Sequence, residues 1–324
     1  MHYYASGSIF EDFTPATNNR SIFWQVHAPR LAFDHPFMLN ALMSCAAVHM
    51  SRSDHDPSLK EIAQVYLNKT IEGHREALSR IDRTNADAVL ATTGMISFLS
   101  LITLSEVDDT DTGEGAGYVD PLPWLRLASG TRVVWFQCEA FISDDGVTTP
   151  LLRAHPDLLD DAHFFALDNA KVFPDVLGWA SEYEMTTDED RDAYERTLCF
   201  AARCFIAINE GEAAGVTIRR IAGLPARCPK RFIELVEEQR PRALVIVAHI
   251  FAIVKLLERN IRLWLRNIAD RQVMQIYAKL PVGWRDVMKW PMHVLEQANA
   301  ISPPVRVAKP HDPRTSNVRA ALME

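Results

Sequence analysis

A chain of 324 residues that is 48% hydrophobic and 23% charged has enough material for one large core or two modest ones, and it excludes disorder and collagen-like structure. Lys and Arg number 34 against 42 Asp and Glu, so the net charge of −8 gives no global attraction for nucleic acid or anionic lipid, and no run of five Lys/Arg supplies a local one. Glycine is sparse, at 13 residues, which tilts the composition towards helix because β-rich folds and phosphate loops rely on glycine for tight turns.

Residues 1–19 are polar and aromatic with no basic region ahead of an apolar stretch, so they read as a flexible segment rather than a signal peptide. From there to residue 300 apolar residues recur at helical spacing, and alternation of the strand type is hard to find. The spacing predicts helices near 20–33, 36–52, 57–82, 86–105, 121–142, 157–167, 188–209, 229–237, 241–268, 270–280 and 285–299. Their start signals are Asp56-Pro57, Asn85 with Asp87, Asp120-Pro121, Thr187 ahead of Asp188-Glu189-Asp190, and Arg240-Pro241. Ala88 to Ser105 is an uncharged window of 18 residues, long enough for a membrane span. Its Thr92, Thr93, Gly94, Ser97, Ser100 and Thr103, the lack of basic flanks and the adjacent Glu106 and Asp108 favour a helix buried in the protein's own core.

Glu106 to Asp120 carries six acidic residues and three glycines and reads as a solvated loop between two buried helices. Residues 301–324 form a tail with Pro303, Pro304, Pro310 and Pro313, which rules out regular helix through most of it. The apolar stretches on either side of the acidic loop are too few for independent cores. The expected architecture is therefore all-α: residues 20–300 as one orthogonal, helical-repeat-like bundle enclosing an apolar pocket, with two loose ends.

The five cysteines, Cys45, Cys138, Cys199, Cys204 and Cys228, are odd in number and mostly lie in apolar helical segments, as free thiols of an intracellular protein do. Cytoplasm and nucleus both fit. No Gly-x-Ser-x-Gly elbow, phosphate loop, His-Glu-x-x-His or Cys-x-x-Cys occurs. Gly113-Glu114-Gly115-Ala116-Gly117 has acidic neighbours and no preceding strand, so it would repel a phosphate. No metal, nucleotide or flavin is implied.

His49 and His249 stand inside apolar helical runs. A buried imidazole most often satisfies itself on a backbone carbonyl or a neighbouring hydroxyl; the alternative is a polar group in an apolar pocket that hydrogen-bonds a ligand oxygen or acts as acid or base. His74 and His293 lie in more polar settings. Met95, Phe98, Trp124, Trp135 and Phe251 form a bulky apolar set, with Trp264, Trp284 and Trp290 further along. Such residues are ordinarily core. The small residues Thr92, Thr93, Gly94 and Ser97 thin the side-chain volume opposite them, and an unfilled void costs about 24 cal/mol per Å³, which favours a ligand in the gap. Met95, Phe98, Trp124, Trp135, His249 and Phe251 are thus the candidate ligand-binding residues. His49 and His249 are the candidate catalytic ones, with Ser97 or Thr93 as further hydrogen-bond donors.

The run from Leu31 to His49, with Leu31-Ala32-Phe33-Asp34-His35-Pro36-Phe37-Met38 at its head, resembles the opening of the regulatory domain of fungal zinc binuclear-cluster transcription factors. The similarity lies nearest the sterol uptake control branch. Trp124 to Gly130, Arg242 to His249, and Trp284 to Trp290-Pro291 fit in the same order, so the resemblance spans about residues 20 to 300. It implies an all-α domain that, in sterol-sensing members, holds a lipophilic small molecule in a helical pocket. DNA-binding members also carry an N-terminal Cys-x2-Cys-x6-Cys cluster holding two zinc ions. Here the first cysteine is Cys45, in a helical run, so direct DNA binding by this chain is not expected. Two further readings stay open. One is a cofactor-free cyclase, pericyclase or isomerase of natural-product synthesis, which needs shape and a hydrogen bond more than a motif. The other is a partner-binding protein using the acidic loop. The Met1 start favours a complete short chain, and a homodimer is compatible with each reading.

Overall fold

In the computed structural model, residues 23–54, 56–104, 120–142, 148, 161–179, 184–185 and 187–301 are described. Among them every regular element is a helix and no strand occurs. The acidic loop at 106–119, the first 19 residues, the tail from Ser302 and the start of the helix expected at 157–167 lie outside the described residues.

A π-helical turn, Phe23–His27, leads into α1 (Ala28–Asp34), and α2 (Pro36–Asp54) and α3 (Pro57–Leu78) form a tight helical hairpin. Asp56 caps α3 by accepting from the Ser58 amide at 2.9 Å, as the Asp-Pro signal requires. Small residues let α2 and α3 approach closely. Ser44 Oγ donates to the Ala63 carbonyl at 2.9 Å, and Gly73 sits against Phe37. Helix α4 (Ala86–Thr103) crosses both. It is the one described helix long and apolar enough to span a membrane, yet 72% of that window is buried inside the fold.

Helices α5 (Leu122–Ser129) and α6 (Thr131–Glu139) follow where one helix over 121–142 is expected. Gly130 keeps right-handed backbone angles but interrupts the hydrogen-bond ladder, so the chain bends without leaving its course. Beyond them come α7 (Asp161–Phe164), a 3₁₀ segment Leu167–Val172 and α8 (Pro174–Gly178). Helix α9 (Asp188–Asn209) starts on Thr187, whose hydroxyl accepts from the Asp190 amide at 3.0 Å, with three acidic residues at the positive end of the dipole. It ends in a Schellman turn: the Glu212 amide donates to the Ala207 carbonyl and Gly211, at φ 86°, supplies the left-handed residue.

Helix α10 (Ala214–Ala222) is absent from the expected elements, because its Ala-Gly start and its Arg pair disguise a buried face of Thr217, Ile218, Ile221 and Arg220 itself. After α11 (Lys230–Glu237), helix α12 (Pro241–Glu258) is buried on nearly every side, and α9, α10, α11 and the later helices pack around it. A helix apolar all round can only be a central one. It ends ten residues earlier than the expected 241–268. A short α13 (Arg262–Leu265) follows, and Asn267, left-handed at φ 64°, turns the chain into α14 (Ile268–Lys279). A 3₁₀ segment, Val282–Met288, leads into α15 (Lys289–Ile301). The buried apolar side chains make one contiguous cluster running from Phe23 to Leu295.

Candidate functional site

The polar groups inside this apolar cluster define what chemistry its interior offers. Three nests gather around α12 and α4. In the first, the Trp264 ring of α13 lies 5.2 Å from His49 and 5.3 Å from Phe98 between ring centroids. Arg52 ties the nest together, donating to the Trp264 carbonyl at 2.7 Å and the Ile102 carbonyl at 3.1 Å. Burial lowers the pKa of His49, with Asp54 opposing and Arg52 reinforcing the shift.

The second nest joins α5 to α12. Trp124 is buried against Phe251, with ring centroids 6.0 Å apart. Among the described residues its indole N–H has no hydrogen-bond partner, and neither does the hydroxyl of Thr92 on the adjoining α4. Buried donors without partners are rare, since each forfeits about 1–3 kcal/mol of hydration.

The third nest encloses His249. Its ring stacks on Trp290 at 5.3 Å and 13°, and Phe173 approaches edge-on at 4.9 Å. Phe205 closes the side of Trp290 at 5.2 Å. His249 Nδ1 lies 2.8 Å from the Val245 carbonyl one turn back, and a carbonyl only accepts, so Nδ1 carries the proton and Nε2 the lone pair. Desolvation pushes the pKa down to about 4, so the ring is neutral at pH 7.

The expected site residues have different ring neighbours. His249 and Phe251 lie two residues apart on α12 and face different neighbours. Phe98 and His49 meet at Trp264, Trp135 packs half-buried at the edge of the cluster, and Met95 is buried in α4. Thr93 and Ser97 are occupied: Thr93 Oγ1 donates to the Val89 carbonyl at 2.8 Å, and Ser97 Oγ donates to the Thr93 carbonyl at 3.0 Å and meets Thr131 Oγ1 at 2.9 Å. Gly94 points to open space, so it removes no volume from the interior. His74 is buried rather than polar in setting. Its Nε2 lies 2.9 Å from Thr93 Oγ1, because the inner face of α3 lies on α4. An open depression lined by Asn68, Ile71, Glu72 and Arg75 involves none of the expected site residues.

Sequence reasoning passed over Arg242, which is fully buried. It donates to the Val176 and Trp179 carbonyls, and to that of Leu177 at 2.8 Å, closing the end of α8. Tyr194 and Trp284 flank its guanidinium at 5.6 and 5.4 Å. The available signal was a lone cation opening an apolar run in which the next charge is Lys255. Among the described residues no group of three or more His, Cys, Asp or Glu is placed to hold a metal ion.

Residues 1–114 match the fungal specific transcription factor domain. The resemblance to zinc-cluster regulators holds. The match takes in α1 to α4, the hairpin and the apolar crossing helix. The chain is 25% identical over 309 residues, 91% of its length, to a Zn(2)-C6 fungal-type transcription factor of Gibberella zeae, covering 60% of that protein. It is also 25% identical over 237 residues, 70% of its length, to the Zn(2)-C6 fungal-type transcription factor afumD of Aspergillus fumigatus, covering 58% of it. Sterol uptake control protein 2 of Saccharomyces cerevisiae is 26% identical over 134 residues, 41% of this chain and 14% of that protein. The chain thus spans about three-fifths of the first two relatives (60% and 58%).

Proposed function

We propose that this chain is an intracellular, ligand-responsive regulatory domain of the fungal transcription-factor type, which binds a lipophilic small molecule and signals through a partner that reads DNA. The observation that carries the reading is the unpartnered Trp124 N–H inside an apolar core. A sterol, terpenoid or polyketide-like molecule presents a large apolar body and few oxygens. One hydroxyl or carbonyl oxygen accepting from Trp124 would satisfy the site's donor while the body covers apolar surface. The rings of Trp124 and Phe251 lie against each other, so the ligand enters by parting α5 from α12. Similarity to a protein named for sterol uptake control agrees with this ligand class.

A second reading, a cofactor-free cyclase, pericyclase or isomerase, is favoured by His249, whose Nε2 lone pair sits in an aromatic nest and stays unprotonated at neutral pH. The two readings part experimentally. Native mass spectrometry of the purified chain, before and after incubation with a panel of sterols and terpenoids, is expected to show one ligand bound per chain and released unchanged. Trp124→Phe keeps an aromatic ring but removes the donor, and is expected to weaken binding by about 2- to 12-fold, the worth of one neutral hydrogen bond. Chemical conversion of the ligand, lost in His249→Gln, would establish the enzyme instead. No binding by either protein would sink both.

A further inference from the structure

Arg126-Leu127-Ala128-Ser129 is the one place in the 324 residues where a serine or threonine follows an arginine by three positions. It lies at the junction of α5 and α6, where Gly130 interrupts the helical ladder, and from Arg126 to Arg132 only Ala128 is buried. Ser129 Oγ donates to the Arg126 carbonyl at 2.7 Å, a bond open to solvent. The Arg126 guanidinium pairs with Glu237 at the end of α11; the two side chains are 55% and 49% exposed, so water competes for both partners. Arg132, three residues beyond Ser129, rests 5.7 Å from the exposed ring of Phe136.

We infer that Ser129 is a phosphorylation site, modified by a serine/threonine protein kinase that selects an arginine three residues before its target. The phosphoryl donor is ATP. Ser129 Oγ bonds to the γ-phosphorus, the bond from that phosphorus to the β,γ-bridging oxygen breaks, ADP leaves, and the hydroxyl proton passes to the catalytic aspartate of the kinase. Such enzymes read the charge pattern of their substrates, so an acidic pocket on the kinase has to take Arg126 from Glu237. The ion pair is thus a competitor that slows the reaction. Once attached, the phosphate carries nearly two negative charges and three acceptor oxygens. It removes the donor that the Arg126 carbonyl now has, and it stands three residues from an arginine on either side, Arg126 and Arg132, within the reach of helical neighbours. Its place between two helices also sets two dipoles against each other, since negative charge is unfavourable at the C-terminus of α5 and favourable at the N-terminus of α6. The phosphate therefore loosens the last turn of α5 and draws Arg126 off Glu237, while α6 keeps its start.

Incubation of the whole folded chain with ATP, magnesium and the catalytic subunit of cyclic-AMP-dependent protein kinase, which prefers arginine at that position, tests this by intact-mass and peptide mass spectrometry. The expected result is one phosphate per chain, on Ser129. Ser129→Ala is expected to abolish it and Arg126→Ala to slow it at least tenfold. Glu237→Gln, which releases Arg126, is expected to speed it about 1.5- to 5-fold, the worth of one exposed ion pair. Arg126 and Glu237 are exposed, so neither change endangers folding, and circular dichroism of each variant is expected to match the parent. Hydrogen exchange of the phosphorylated chain is expected to quicken in the last turn of α5 and not in α6. No phosphate on Ser129, a rate indifferent to Arg126→Ala, a rate no higher in Glu237→Gln, or unaltered exchange in α5 would each overturn the proposal.

Discussion

Adding one methyl group at Gly73 tests how tightly the α2–α3 hairpin is packed, and Gly94 of α4 serves as the open control with backbone conformation held out of the comparison, because both glycines are helical and right-handed. At Gly73 a Cβ would lie 2.9 Å from Phe37 Cβ and 3.6 Å from Phe37 Cα. Those atoms stand at or next to the backbone, so no rotamer change removes the clash and the two helices must separate by several tenths of an ångström. Overpacking of this kind costs about 1–3 kcal/mol, against a helix-propensity gain of up to about 1 kcal/mol for Gly→Ala. At Gly94 nothing stands within 4 Å, so only the gain remains. Gly73→Ala is thus expected to lose about 1 kcal/mol and Gly94→Ala to gain about 0.5–1 kcal/mol. Urea unfolding followed by far-ultraviolet circular dichroism reads the difference as opposite shifts of midpoint at constant slope. Equal shifts in one direction, or a Gly73→Ala protein as stable as its parent, would refute the close approach of α3 to Phe37.

The two left-handed helix ends give an opposed pair. Gly211→Ala is expected to destabilise by about 1 kcal/mol, and Gln239→Gly, at φ 56° in the same Schellman geometry after α11, to stabilise by a comparable amount in thermal melts. Burial of neutral His249, with a folded pKa of about 4 against about 6.5 when exposed, means the unfolded chain binds the extra proton. Stability is therefore complete above about pH 6.5 and falls as pH drops towards 4, by about 3 kcal/mol from this group. His49 and His74 are shifted the same way. Denaturation midpoints measured across that range are expected to show a shallower slope in His249→Gln, and an unchanged slope would contradict the buried neutral ring. Arg242→Met strips the carbonyls of Val176, Leu177 and Trp179 of their donor and is expected to cost about 3–5 kcal/mol. Hydrogen exchange should then quicken first in Leu167–Val172 and α8; a uniform effect over the whole chain would argue against a local clamp.

Most of the helical framework was legible because its causes are local. Apolar spacing, Asp56-Pro57, Thr187 with its acidic first turn, and Arg240-Pro241 each act within a turn or two, and the helices begin where these signals stand. The errors fall where local signals compete. Gly130 breaks a ladder that propensity alone would carry through, and α10 carries a charged residue, Arg220, within its buried face.

The interior was legible only in part. Sequence marked Trp124, Phe251 and His249 as apolar or half-polar groups in helices, but side-chain partners come from elements far apart in the chain. Phe173 and Trp290 reach His249 from distant segments, and Arg242 finds its carbonyls more than sixty residues away. Spacing could not tell that Thr93 and Ser97 spend their hydroxyls on the neighbouring turn and on Thr131, that Gly94 faces outward, or that Trp124 keeps an unanswered N–H. Sequence by itself determined the helices and the apolar character of α4 and α12, since both follow from residue type and period. Which polar atoms are satisfied, and which face of α6 is left apolar towards solvent, was decided by tertiary packing, because hydrogen bonding and burial depend on what the rest of the chain brings alongside.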